Sequence, residues 1–245
     1  MIFEILSDLL NGMLGSIRID AIMYYLIASF KMANIMFKVC VCEFLMLVFT
    51  NIKWMLSDSH GGMLISILKI INGLFIFLST IEFIAAIDIH GNNKKNSVVD
   101  VVSAIITMSI YQLSMMLLVN FINYVLFTTM SVFINFFILT IYHSFYVHNN
   151  LWQKKGIKIN TRVDIYEHRW AYYGGFGILP TIIYMYSHNI YVASLYNIYL
   201  FALITTPFYL TEPVLLHYPK INMKVFAYVC EWIVYLASQM LPIKK

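Results

Sequence analysis

Residues 101–153 read VVSAIITMSIYQLSMMLLVNFINYVLFTTMSVFINFFILTIYHSFYVHNNLWQ, and these 53 positions contain no Asp, Glu, Lys or Arg. Basic residues return at once as Lys154, Lys155, Lys158, Arg162 and Arg169. A bilayer core of about 30 Å takes roughly 20 apolar residues as a helix, so the stretch holds about two crossings and a bend. As one straight helix, Val98 to Leu151 would measure about 80 Å at about 1.5 Å per residue. It has to turn, and Asn120, Asn123, Thr128, Thr129 and Ser131 mark the most polar place to do so. The pattern predicts an all-α, multi-pass membrane protein built from helical hairpins, some of them re-entrant or half-penetrating.

Composition agrees. The chain has 245 residues, 61% hydrophobic and 11% charged, against soluble averages of about 45–50% apolar and about 25% charged. No polar or Pro/Gly/Ser-rich linker divides it, so a single membrane domain over 1–245 is expected. A net charge of +4 without a long Lys/Arg run argues against nucleic acid as a partner. Three cysteines, Cys40, Cys42 and Cys230, form neither a disulfide framework nor a zinc pattern and read as packing residues.

Residues 1–30 are expected to form an amphipathic helix, with Ile2, Leu6, Leu9, Leu10, Met13, Leu14 and Ile17 on one side and Glu4, Asp8, Asn11 and Arg18 on the other. Such a helix lies in the membrane interface or packs on the rest of the protein. Residues 35–216 form the hairpin core. Its first pair, Ile35 to Leu56 and Met63 to Ile89, turns at Ser57–Gly62 and carries Lys38, Glu43, Lys53, Lys69, Glu82 and Asp88. Glu43 and Glu82 either serve a proton or ion path or pair with Lys38, Lys69 or a backbone group. Trp170 to Ser187 contains Gly174, Gly175, Gly177 and Pro180, which predicts a broken or re-entrant segment. After a turn at Ser187–Asn189, Ile190 to Leu216 is bent or ended by Pro207 and Pro213. A last apolar segment, 225–241, has Glu231 in its middle and is expected to lie in the interface.

Lys and Arg concentrate at the 92–97, 154–169 and 217–224 connections and at both chain ends. The positive-inside rule then predicts that the termini and basic loops are cytoplasmic. No HExxH, GxSxG or phosphate-loop pattern occurs, so neither enzyme chemistry nor a cofactor or catalytic or metal site is expected. Half-helix ends near Gly174–Pro180, with Arg162 and Arg169 beside them, would suit an anion channel or permease as the alternative.

Trp152-Gln153-Lys154-Lys155-Gly156-Ile157, then Arg162, Glu167 and Trp170-Ala171-Tyr172-Tyr173-Gly174-Gly175-Phe176-Gly177, is similar without gaps to the signature of the etoposide-induced protein 2.4 family. The resemblance implies a multi-pass endoplasmic reticulum protein supporting autophagosome formation and maturation, with autophagy or Bcl-2-type protein partners and a link to apoptosis. It also implies kinship with the bacterial sulfate permease, whose Gly-Leu-Arg sulfate element this chain lacks. Ala171 stands where a proline is usual in the eukaryotic pattern. Physically, Trp152 and Trp170 are expected at the membrane interface. Lys154, Lys155, Lys158 and Arg162 are expected on anionic lipid headgroups. Tyr172 and Tyr173 anchor the following segment, and Gly175 and Gly177 permit close helix approach around Phe176. Glu167, His168 and Arg169 read as a solvated cytoplasmic cluster.

Overall fold

A computed structural model of the chain describes residues 2–52, 58–86, 116–157, 159–210 and 219–221. Among these every regular element is a helix: α1 (Ile2–Ser16), α2 (Ile19–Ala28), α3 (Phe30–Ile52), α4 (Asp58–Ala86), α5 (Met116–Val125), α6 (Thr128–Lys154), α7 (Ile159–His168), α8 (Trp170–Met185), α9 (Ile190–Leu203) and α10 (Thr206–Tyr209). Among the described residues three stretches are long and apolar enough to cross a membrane: Phe30–Asn51, Thr128–Lys154 and Ile190–Tyr209. The connections holding Lys53, Asp88 and 92–97, and the 225–241 segment, lie outside the described residues, as does Lys158.

The helices group into two compact units. One comprises Met1–Ile17, Lys95–Thr181 and Glu212–Lys245, and the other Arg18–Lys94 and Ile182–Thr211. In the second unit α3 packs against α2, α4 and α9, around a core of Met32, Ile35, Val39 and Phe201. The helical pair α3–α4 matches the expected hairpin, although α4 already includes His60, Gly61 and Gly62. The bends at 126–127 and 186–189 fall where polar residues predict them. Asn189 caps α9, its side chain accepting from the Tyr191 N–H at 2.9 Å. α9 stops at Leu203, before Pro207, which opens the short α10.

Two expectations change. The span from Trp170 to Met185 is one continuous helix with Pro180 inside it, not a broken segment. Proline cannot donate to the Phe176 carbonyl. The Thr181 hydroxyl donates to the neighbouring Gly177 carbonyl at 2.8 Å and supplies the turn with another bond. Such local repair is how helices in apolar surroundings tolerate proline.

The N-terminal region is also not one helix over 1–30. It breaks at Ile17–Arg18 into α1 and α2, where the Ser16 hydroxyl turns back onto the Met13 carbonyl at 2.7 Å. More consequentially, α1 buries Asp8, Gly12, Gly15 and Ser16. Ile2, Phe3, Leu6, Leu10 and Leu14 remain exposed, Phe3 by 87%. Of the side that the amphipathic pattern assigns to water, Asp8 is packed together with the small residues Gly12, Gly15 and Ser16, while Glu4 and Asn11 stay exposed.

The long α6 shows the same reversal along its length. Phe133 and Phe137 near its start are 67% and 62% exposed. Its last ten residues before Gln153, from His143 to Trp152, are buried apart from Tyr146, although five of them are His, Ser or Asn.

Candidate functional site

The signature residues lie where α6 ends, α7 turns and α8 begins. α6 ends in a Schellman motif. Gly156 adopts a positive φ of 71°, the Ile157 N–H reaches the Trp152 carbonyl at 2.9 Å, and the Gly156 N–H reaches Gln153 at 2.8 Å. This backbone conformation is easy only for glycine, and it gives Lys155-Gly156 a structural reason. Lys155 stays exposed. Ile157 folds back against the cluster that holds Trp152, completing the apolar contact of that cap.

Arg162 on α7 holds this turn in place. Its Nε donates to the Ile157 carbonyl at 2.7 Å, and Nη1 donates to the Asn149 carboxamide on α6. The guanidinium is thus bound to the protein's own turn rather than held out for headgroups.

Behind the turn lies an aromatic cluster of Phe145, Trp152, Tyr166, Tyr172 and Tyr173. His148 sits among its rings, with centroids 4.6 Å from Phe176, 4.8 Å from Tyr173, 5.8 Å from Trp152 and 6.3 Å from Tyr172. Its Nδ1 donates to the Ser144 carbonyl at 2.9 Å, which fixes the tautomer. Tyr166 stacks on Tyr173 at 5.0 Å. Burial pushes the Tyr166 phenol far above its ordinary range, and its hydroxyl faces Ser144. Trp152 is 2% exposed, so it is a core residue and not an interfacial anchor. Tyr172 and Tyr173 are buried with it. Trp170 alone keeps an edge outward, its indole N–H donating to the Pro219 carbonyl at 3.0 Å.

Three glycines set the helix spacing. A Cβ at Gly12 would overlap the Tyr172 carbonyl, one at Gly175 the Leu9 carbonyl, and one at Gly177 the Thr140 carbonyl. α1 and α6 therefore both touch the α8 backbone, as the Gly-Phe-Gly spacing predicts for α8. His143 on α6 completes the contact through Thr181 Oγ1 at 2.9 Å.

The charged residues differ from their expected setting. Glu167 and Arg169 are 2% and 4% exposed, so they do not form a solvated cluster; His168 does remain exposed. Arg169 Nη2 donates to both carboxylate oxygens of Asp8, at 3.1 and 3.3 Å, joining positions 161 residues apart. Glu167 takes Lys220 Nζ at 3.0 Å, and Lys220 also bonds Asp164. The two carboxylates hold the Lys220 ammonium above its usual range, Asp164 foremost. The buried Arg169–Asp8 pair holds the α7–α8 turn against α1, and the half-exposed Lys220 pairs hold it against the 219–221 segment.

Sequence reasoning missed His148, Asn149, Tyr166 and Asp8 as members of the site. Asp8, Gly12 and Ser16 recur at helical spacing in an otherwise apolar helix, and that small, polar stripe is the signal that would have found the inner face of α1. Among the described residues no group of three His, Cys, Asp or Glu side chains could hold a metal ion. The arrangement can bind helices together; what it offers outward is the exposed Lys155 and the edge of Trp170.

No family model and no solved structure matches the chain. One curated protein does: the "Uncharacterized protein L211" of Acanthamoeba polyphaga mimivirus is 33% identical over 239 residues, covering 91% of this chain and 91% of its own.

Proposed function

This chain belongs to the family of that mimivirus protein, and from there we propose that it is a non-enzymatic, multi-pass integral membrane protein. The observation that carries this is the reversed burial. Asp8, Asn149, Glu167 and Arg169 are inside, while Phe3, Leu10, Phe133 and Phe137 are exposed. Soluble proteins keep most charged side chains in water and do not leave so large an apolar surface uncovered. In hydrocarbon the apolar face needs no cover, and polar groups gain by facing one another. The exposed apolar face of α1 is then lipid-facing and not an empty docking surface.

The narrower reading follows from the resemblance of the Trp152–Gly177 junction. It assigns the protein to the endoplasmic reticulum membrane, with termini and basic loops cytoplasmic, in support of autophagosome formation and maturation. It would act there through lipid contacts or recruited partners of the autophagy or Bcl-2 type. Lys155 and Lys154, at the exposed end of α6, would meet anionic headgroups at about 1 kcal/mol each. A second reading, an anion channel or permease, is favoured by one observation: Nε and Nη1 of the buried Arg169 have no hydrogen-bond partner. The Asp8 carboxylate already neutralises that guanidinium, which weighs against it.

Alkaline extraction of membranes tests the general reading. Retention in the pellet is expected, and release into the supernatant would remove it. Protease treatment of intact microsomes should cut the 154–169 connector. Accumulation of stalled autophagosomes in cells lacking the protein supports the narrower reading, whereas sulfate or chloride flux in proteoliposomes favours the second.

A further inference from the structure

The second unit contains a carboxylate that none of the foregoing uses. Glu43 lies near the middle of the 23-residue α3 and is 1% exposed. Its Oε1 accepts two amide N–H groups, from Asn72 on α4 and Asn197 on α9, each at 2.9 Å. Asn72 in turn accepts from the Cys42 thiol at 3.0 Å. No described residue donates to Oε2.

Among the described residues no positive charge pairs with it either. Lys38 on α3 and Lys69 on α4 are exposed and form no ion pair with Glu43. Asp20 on α2 is occupied with Arg18 at 2.5 Å, and Tyr196 on α9 is buried against Tyr184. Glu82 on α4 is exposed. Sequence reading weighed the two glutamates alike; the fold separates them.

The surroundings are polar on one side only. Asn51, two turns along α3, accepts from the Tyr191 hydroxyl of α9 at 3.1 Å, and both residues are exposed. Ser194, between Tyr191 and Asn197 in sequence, is buried. In the other direction the seam closes with Val39, Ile35, Met32 and Phe201, each at most 1% exposed. A carboxylate with hydrogen-bonded amides on one oxygen, and no donor among the described residues on the other, needs a positive counterpart inside a membrane.

We propose that Glu43 is a proton-binding site, exchanging with the aqueous phase at the Asn51–Tyr191 end and closed off at the Phe201 end. The proton sits on Oε2, because Oε1 is already engaged by both amides. Hydronium from the Asn51 side is the donor, and water is left behind. This site presupposes that α3 and α9 cross the bilayer.

The test is labelling of the full chain in liposomes with dicyclohexylcarbodiimide, which adds to protonated carboxyls in apolar surroundings. Mass spectrometry should find the adduct on the peptide holding Glu43, falling as pH rises and lost in Glu43→Gln. An adduct yield that does not change with pH, or no adduct at any pH, would overturn the site. Protection by sodium ions at constant pH would overturn it too, since the ligand would then be a metal cation. Alkaline extraction of the same liposomes separates the two failures: a chain that stays in the membrane yet is unlabelled sinks the proton site alone.

Discussion

The Trp152–Gly177 junction and the Glu43 seam both bury polar groups inside apolar helices, but they compensate them differently. At the junction every buried charge has a partner of opposite sign: Arg169 with Asp8, Glu167 with Lys220. Backbones there approach to glycine distance, and aromatic rings fill the remaining space. At the seam the Glu43 carboxylate is met, among the described residues, by two neutral amides, one of which accepts from a thiol. The first arrangement is closed and rigidly specified. The second leaves room for an exchangeable positive ligand.

The contrast can be broken most violently at Arg169. Arg169→Ala removes the guanidinium from the buried Asp8 carboxylate, which costs about 3–5 kcal/mol, and a large drop in the thermal midpoint of purified protein is expected. Asp8→Asn with Arg169→Met should recover much of that loss. If the double variant is no better than the single one, the pair is not what holds α1. Trp152→Ala should follow at about 3–5 kcal/mol, because it empties the centre of the ring cluster. The same loss would not arise from an indole lying at the interface.

A Gly175→Ala substitution drives a methyl into the Leu9 carbonyl. Overpacking of this kind costs about 1–3 kcal/mol, and the check is earlier proteolysis of α1. Gly174→Ala, where a Cβ meets nothing within 4 Å, serves as the control and should be neutral. The smallest effect belongs to the seam. Glu43→Gln keeps an acceptor for both amides and should change stability by less than about 1.5 kcal/mol while abolishing carbodiimide labelling. A collapse of the fold in this variant would erase the distinction between the two regions.

Much of the helix layout was legible. The bends at 126–127 and 186–189, the end of α9 before Pro207 and the close approach at Gly175 and Gly177 all follow from local chemistry: polar turn residues, proline's missing N–H, glycine's missing Cβ. Pro180 misled because its cost depends on what neighbours supply, and Thr181 supplies a donor. Asp8, Glu167 and Arg169 misled for a different reason. A charge in a sequence reads as solvated until its partner is known, and the partner of Arg169 lies 161 positions away.

The chain's composition and periodicity determined that it is helical, where several of its helices stop and which glycine spacings allow contact. Only tertiary structure decided which face of each helix turns inward. Hydrophobic patterning marks an apolar side, but α1 leaves that side exposed and packs through Asp8, Gly12 and Ser16. Pairing of charges, and among the described residues the absence of a pair at Glu43, is likewise a property of segments brought together from far apart.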